Sequence, residues 1–159
     1  MNTMYILDTS VFIEANKHDF PLDKNPGSFW DFIERQCQIG EMKIPESVMD
    51  EIYRKDDIIK AWVSTRKEIL SIPTTHALPY LSKVLEEYGI FSETDVEVFD
   101  GKADPYVIAE GLASKAIVIT NEKSRPEATS IRRKKIPDIC DKVGVQCIRY
   151  PRFLWEMSP

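Results

Sequence analysis

Short apolar segments alternate along this chain with longer stretches in which hydrophobic residues recur at helical spacing. The clearest apolar segment, Ala116 to Thr120, is β-branched at four of its five positions. Strands of this kind are typical of a parallel sheet that helices cover on both faces. Because the crossover connections of such sheets are right-handed, the alternation predicts an α/β fold. We expect a three-layer α/β/α, doubly wound parallel sheet in a single domain over residues 1–159.

The boundaries of the predicted elements follow from apolar runs, helical periodicity and the positions of proline and glycine. The predicted strands are Met4 to Leu7, Met42 to Ile44, Leu70 to Pro73, Ala116 to Thr120 and Val145 to Ile148. A short helix is predicted to end at Ala15 and another to open at Pro45, with further helices over 28–38, 58–68, 78–88, 103–114 and 136–143. In a doubly wound sheet the functional crevice lies at the carboxyl ends of the strands, so the residues that follow the first and fourth strands are of interest.

The chain is acidic overall, with 21 Lys and Arg against 26 Asp and Glu and a formal net charge of -5. This balance argues against a general polyanion-binding protein. Six cations nevertheless fall between Lys123 and Lys135, with Glu127 as the one acid among them. Such a run is usually a solvated loop, and the sharper alternative is a local binding site for phosphates.

Composition predicts a soluble cytoplasmic protein. The chain is 43% hydrophobic and 30% charged, which is ordinary for a globular protein and unlike a disordered or collagenous one. Its apolar runs are far shorter than the roughly 18 residues of a membrane span, and Met1 to Leu7 lacks the basic flank of a signal peptide.

The three cysteines have no C-x-x-C spacing, and the two histidines lie far from them, which argues against a disulfide framework or a zinc site.

Four acidic residues stand at the ends of predicted strands or near the starts of predicted helices. These residues are Asp8, Glu51, Asp104 and Glu122. Each has an ordinary explanation: a helix cap for Asp8 and Asp104, a surface position for Glu51, and a solvated loop for Glu122. A doubly wound sheet can converge all four in one crevice, where carboxylates repel one another unless protonation or a cation relieves the repulsion. Oxygen ligands without His or Cys suit a hard cation, Mg²⁺ or Mn²⁺.

Six short segments form an ordered set along most of the chain. They are Tyr5 to Ile13 (YILDTSVFI), Phe29 to Ile33 (FWDFI), Ile44 to Ile52 (IPESVMDEI), Lys102 to Ala109 (KADPYVIA), Val118 to Glu122 (VITNE) and Lys134 to Cys140 (KKIPDIC). In this order they resemble the segments of the PIN-domain family of metal-dependent ribonucleases. The chain is most similar to a DUF4411-like subgroup that has a tryptophan-bearing helix after the first acid and a late KIPD segment.

The resemblance implies a role for each acid. The metal ligands and catalytic acids would be Asp8, Glu51, Asp104 and Glu122. Thr120 would support the site from the end of a strand, and Ser10 stands where the family usually has asparagine. Asp138 of the KIPD segment is also expected to face the site.

The resemblance further implies an Mg²⁺- or Mn²⁺-dependent endoribonuclease that leaves a 5′-phosphate and a 3′-hydroxyl. The family includes VapC-like toxins of prokaryotic toxin–antitoxin pairs, which implies a small antitoxin partner and a possible homodimer. Because the pocket is acidic, we assign contacts with the RNA backbone to the nearby basic run. The residues concerned are Lys123, Arg125, Arg132, Arg133, Lys134 and Lys135.

Three alternatives belong to other classes. A haloacid-dehalogenase-like phosphatase needs a second aspartate two residues after the first, and Ser10 occupies that place. A phospho-acceptor receiver domain needs its aspartate after a central strand, and no other predicted strand ends in Asp. A catalytically silent PIN-like scaffold would bind RNA or protein without cleavage. Ser10 favours that scaffold, and the intact set of acids favours the enzyme.

Overall fold

A sheet of parallel strands forms the centre of the molecule. The computed structural model describes residues 3–24, 28–55, 57–92 and 102–157. Its strands are β1 (Tyr5–Leu7), β2 (Met42–Pro45), β3 (Ser71–Ile72), β4 (Ile117–Thr120) and β5 (Cys147–Arg149). Their order across the sheet is β3-β2-β1-β4-β5, and each neighbouring pair is parallel, which confirms the predicted sheet.

Helices flank this sheet and complete the predicted three-layer α/β/α fold. They are α1 (Thr9–Glu14), α2 (Ser28–Gln38), α3 (Glu46–Tyr53), α4 (Ile58–Ser64), α5 (Lys67–Leu70), α6 (Thr74–Tyr88), α7 (Asp104–Ser114), α8 (Ile136–Val143) and α9 (Tyr150–Met157). A π-helical turn, Ala15–Asp19, extends α1, and a 3₁₀ turn, Ile131–Arg133, precedes α8. Within the described ranges, no helix combines the length and the apolar character that a membrane crossing requires.

The central strands are buried because helices pack on the sheet. Leu7, Val118 and Ile119 have no exposed surface. Helix α7 approaches the sheet closely at Gly111, where a Cβ would lie 2.9 Å from side-chain carbons of Val118 and Val145. A larger residue at position 111 would therefore push α7, and the acid at its first position, away from the sheet.

The chain changes direction across the sheet between β1 and β4. From β1 it moves outward through β2 to β3, and it then returns to the other side of β1 to form β4 and β5. Leu7 of β1 is therefore paired with Ile119 of β4, and the Asp8 N–H donates to the Ile119 carbonyl at 3.0 Å. Ligands of doubly wound folds bind at such a switch point, which here brings the residues after β1 beside those after β4.

Some element boundaries differ from those predicted. The helix predicted from Leu78 begins at Thr74 and includes Pro79 in its second turn, where the proline removes one helical hydrogen bond. The helix predicted over 58–68 is two helices, since the chain turns at Thr65 and Arg66 between α4 and α5. The last two strands are shorter than predicted or shifted by one or two residues.

Helix α9 lies where no helix was predicted. Its Phe153 is buried and packs edge-on against Tyr5 of β1, with ring centroids 6.0 Å apart. Trp155 on the same helix is 83% exposed. The C-terminal apolar residues therefore divide between core and surface, and the core member anchors α9 to the sheet.

Candidate functional site

A cleft of about 400 Å³ opens where the chain leaves β1 and β4. Its lining residues are Asp8, Thr9, Ser10, Ile13, Glu51, Arg54, Lys55, Lys102, Asp104 and Glu122. The four acids identified in the sequence therefore reach one cleft from four separate segments of the chain. Thr120 contacts Asp8 from β4, whereas Asp138 is not part of the lining.

Hydroxyl groups on two segments hold Asp8. Asp8 is only 3% exposed, and its Oδ2 accepts hydrogen bonds from Ser10 Oγ at 2.6 Å and Thr120 Oγ1 at 3.0 Å. The same hydroxyl oxygens accept the N–H groups of Asn121 at 2.8 Å and Glu122 at 3.1 Å. The Asp8 side chain makes no capping bond to α1. Its arrangement therefore ties the end of β1 to the turn after β4, and the ordinary explanation of a helix cap does not account for it.

Backbone amides hold two of the other acids. Glu51 accepts the N–H of Ala103, the residue before α7. Glu122 Oε2 accepts the N–H of Ile136, the first residue of α8, at 3.2 Å. Asp50, the neighbour of Glu51 in α3, is exposed and does not line the cleft. The helical wheel of α3 thus separates the adjacent acids, with Glu51 at the cleft.

Asp104 is the first residue of α7, and it does not cap that helix. The N-cap position belongs to Ala103, and Pro105 follows as the second helical residue. The ordinary explanation that Asp104 caps the helix is therefore wrong. The helix begins at Asp104, so Pro105 is its second residue and not its first. A carboxylate in the first turn still interacts favourably with the helix dipole.

Burial and neighbouring negative charge raise the pKa of three acids of the cleft, Asp104, Glu122 and Asp8. Burial raises the pKa of Asp104 well above its ordinary value, the negative charges of the other three acids raise it further, and Lys102 lowers it. Burial and then the charge of Asp8 raise the pKa of Glu122, which a hydrogen bond from the Asp104 carboxyl lowers. Burial also raises the pKa of Asp8, against the hydroxyls that bind it. Full ionisation of the cluster is therefore costly without a positive charge.

The donor chemistry of the cleft fits a hard divalent cation. The acids offer carboxylate oxygens, and no His or Cys belongs to the lining found in the described ranges; oxygen is the donor that Mg²⁺ and Mn²⁺ prefer. Across those ranges, however, no three or more His, Cys, Asp or Glu side chains are arranged so that they could hold a metal ion as they stand. Rotation of carboxylates would be needed to bring three of them onto one ion.

Sequence reasoning missed three cations and a tyrosine at this site. The cations that line the cleft are Arg54, Lys55 and Lys102. Tyr88 is fully buried nearby: burial raises its pKa, and the charges of Asp104 and Glu122 raise it further. Two of the cations follow Glu51 by three and four residues, which is one helical turn, and that spacing is the signal that could have identified them.

Asp138 holds a loop and does not face the cleft, which corrects the expectation for it. Its carboxylate accepts hydrogen bonds from the Ser124 hydroxyl and from the N–H of Arg125, the latter at 2.6 Å. Asp138 belongs to the first turn of α8, and its partners belong to the loop after β4. It therefore fixes the start of the basic run.

The basic segment, residues 123–135, contributes no residue to the lining of the cleft. Its exposed cations are Lys123, Arg125, Arg132 and Arg133. Lys134 donates from Nζ to the carbonyls of Glu87 at 3.3 Å and Tyr88 at 3.1 Å, at the C-terminus of α6. Lys135 is half-buried, and its charge lowers the pKa of Glu122. Contact of these residues with RNA stays a prediction.

Comparison with known proteins places almost the whole chain in one family. A family model described as "Domain of unknown function (DUF4411)" matches residues 5–158. No curated protein matches the chain. The match spans every strand and helix described above and confirms the DUF4411 part of the resemblance, whereas membership of the PIN-domain family stays a prediction.

Proposed function

We propose that this chain, which belongs to the DUF4411 family, is an Mg²⁺- or Mn²⁺-dependent endoribonuclease of the PIN-domain type. The observation that carries the proposal is that four carboxylates from four segments line one cleft at the switch point of the sheet. Acids that are distant in sequence and lie close enough for negative charge to raise the pKa of Asp8, Asp104 and Glu122 favour a site for a divalent cation. The ordered resemblance to PIN-domain ribonucleases supplies the reaction.

The cation would be held by oxygens of Asp8, Glu51, Asp104 and Glu122. When bound, Mg²⁺ or Mn²⁺ would supply Lewis-acid activation of water and offset negative charge on the phosphate. In the proposed hydrolysis an oxygen of water joins phosphorus, the bond from phosphorus to the 3′ oxygen breaks, and the proton from water ends on that oxygen. No side chain forms a covalent intermediate.

The chain's own groups would fix the acids before RNA binds. The hydroxyls of Ser10 and Thr120 orient Asp8, and backbone amides restrain Glu51 and Glu122. The bond from Ser10 is local, whereas those from Thr120, Ala103 and Ile136 join separate segments of the chain, so the site depends on the completed fold. The carboxylates would still have to rotate to bind the ion. Once they hold it, they would need little further reorganisation during the reaction, which is the usual source of electrostatic catalysis.

The contacts of Ser10 support an enzyme over a silent scaffold. Serine stands where the PIN-domain family usually has asparagine, yet its hydroxyl donates to Asp8 at 2.6 Å and accepts from Asn121 at 2.8 Å. The departure therefore leaves Asp8 with a partner at this position. The alternative, a PIN-like scaffold that binds RNA or protein without cleavage, is favoured by the lack of a closed ligand set within the described residues.

The biological role we propose is that of a toxin in a prokaryotic toxin–antitoxin pair. Its partners would be an RNA substrate, a small antitoxin protein and, in a homodimer, a second copy of the chain, all in the cytoplasm. This part of the proposal rests on the family resemblance alone. It is separable from the cleavage reaction, which purified protein can test.

The test compares wild type, Asp8→Asn and Asp50→Asn on bulk RNA with Mg²⁺, with Mn²⁺ and with a chelator. We expect metal-dependent cutting by wild type and Asp50→Asn, and a loss of more than about 100-fold in Asp8→Asn, since even groups that only orient metal ligands cost roughly 10–100-fold. Asp50 is the matched control because it is an exposed acid outside the cleft.

Two outcomes would contradict the proposal. Equal residual cutting by wild type and Asp8→Asn would indicate a contaminating nuclease. RNA binding by wild type without metal-dependent cutting would identify the chain as a silent scaffold.

A further inference from the structure

The cleft has an acidic floor and a basic rim. The floor consists of Asp8, Glu51, Asp104 and Glu122, all of them buried or half-buried. The rim cations are Arg54, Lys55 and Lys102, all of them exposed. Charges of opposite sign thus line the same cavity at different depths. A polyanion that approaches the floor would meet the rim cations first.

The rim cations belong to the same segments as two of the acids. Arg54 and Lys55 continue the path of α3 beyond its last residue. The Arg54 N–H donates to the Asp50 carbonyl at 3.2 Å, and the Lys55 N–H donates to the Ile52 carbonyl at 3.1 Å. Residues three and four positions after Glu51 lie on its side of the helix. The backbone that positions an acid on the floor therefore also positions two cations above it, and Lys102 stands two residues before Asp104.

We propose that Arg54, Lys55 and Lys102 bind the backbone phosphates next to the scissile bond of the RNA substrate. This inference rests on the proposed ribonuclease function and assigns its nearest phosphate contacts to the rim. Phosphate contacts fix the position of a nucleic acid strand without reading its sequence. The rim cations would hold the strand over the acids whatever bases it carries.

The basic segment is less suited to that position. It contributes nothing to the lining of the cleft, and its Lys134 is engaged with carbonyls at the end of α6. A lysine at a helix C-terminus stabilises the helix through its dipole. Contacts from Arg132 and Arg133 would then involve more distant phosphates. The two groups of cations make different predictions when equal numbers of charges are removed from each.

The experiment measures binding of a fluorescently labelled single-stranded RNA by anisotropy over a series of salt concentrations. All proteins carry Asp8→Asn, so that the RNA stays intact in Mg²⁺. The rim variant adds Arg54→Gln, Lys55→Gln and Lys102→Gln. The matched control adds Arg125→Gln, Arg132→Gln and Arg133→Gln, which removes the same number of charges from the basic segment.

We expect the rim variant to bind RNA at least about 10-fold more weakly. The salt slope, which is the slope of the logarithm of the binding constant against the logarithm of the salt concentration, should become shallower by about 2, at roughly 0.7 per phosphate contact on a single strand. The control should lose less affinity and less slope. An unchanged slope in the rim variant, or a larger loss in the control, would overturn the proposal. If the triple variant does not fold, the test is repeated with Lys55→Gln alone.

Failure of the inference is distinguishable from failure of the proposed function. If wild type cuts RNA and the rim variant retains the full salt slope, the enzyme stands and the rim assignment is wrong. If wild type does not cut and the rim variant loses slope, the rim binds RNA on a protein that is not a nuclease.

Discussion

Helix α7 carries two acidic side chains that are shielded from solvent, Glu110 and Asp104, and their electrostatic surroundings are opposite. Glu110 is 1% exposed, and its Oε2 accepts a hydrogen bond from Ser114 Oγ at 2.7 Å and lies 2.5 Å from His76 Nδ1. Asp104, six residues earlier, faces the other acids of the cleft, Asp8 foremost among them. The chain supplies partners for the first carboxylate and further negative charge for the second. Burial alone therefore does not distinguish the two acids, whereas burial among like charges, which is typical of functional acids, is found only for Asp104 of the pair.

The comparison predicts stability changes of opposite sign in chelator at neutral pH. Glu110→Gln should lower the free energy of unfolding by about 1–3 kcal/mol, because hydrogen bonds to a buried charged acceptor are lost. Asp104→Asn should raise it, because a carboxylate that the fold disfavours in its charged form is removed. Urea unfolding of the full chain measures both changes.

The Asp104 effect should also depend on pH. Its folded-state pKa lies well above the ordinary 3.8. The contribution of protonated Asp104 to the stability of wild type is therefore fully present below the ordinary pKa and is lost as pH rises through the raised pKa. The advantage of Asp104→Asn should therefore be largest near pH 8 and shrink towards zero near pH 4. Asp50→Asn removes the same charge from an exposed site. If Asp50→Asn shows the same pH profile, the effect is one of net charge and the assignment to the cleft is wrong.

A smaller effect is expected when the partner of Glu110 is changed. His76 is 49% exposed at its side chain, so His76→Gln should cost only about 1 kcal/mol, since glutamine can still donate one hydrogen bond. RNA cutting should be unchanged, because His76 lies outside the cleft. Thermal unfolding and the cleavage assay check the two expectations. A loss of cutting at unchanged stability would mean that the His76–Glu110 pair takes part in the reaction. Glu110 and Asp104 would then no longer differ as a structural and a functional acid.

The sequence predicts the sheet and the floor of the cleft well, because both depend on local patterns. Ala116 to Thr120 is apolar on both faces and could be stable only between helix layers. Asp8 and Glu122 follow buried strands, and parallel strands end at a common edge. The convergence of these acids therefore follows from topology before any side-chain position is known.

Other features depend on tertiary contacts that the pattern does not encode. Asp138 shares the KIPD segment with residues near Glu122, but its carboxylate turns to Ser124 and Arg125. The sequence does not distinguish Lys134 from the other cations of the basic segment, yet its Nζ donates a hydrogen bond to the Tyr88 carbonyl at the end of α6. The partner in each case is a hydroxyl or backbone group, which carries no charge or periodicity that a sequence reading could use.

The most direct test of the central claim, that the floor acids together bind a divalent cation, is calorimetric titration of Mn²⁺ into chelator-treated protein. Wild type and Glu110→Gln should bind Mn²⁺ with equal affinity, and Asp104→Asn should bind it at least about 10-fold more weakly, since the loss of a ligand exceeds the smallest effects of outer-sphere changes. If wild type binds no Mn²⁺, or if Asp104→Asn binds it as tightly as wild type, the floor acids are not a metal site.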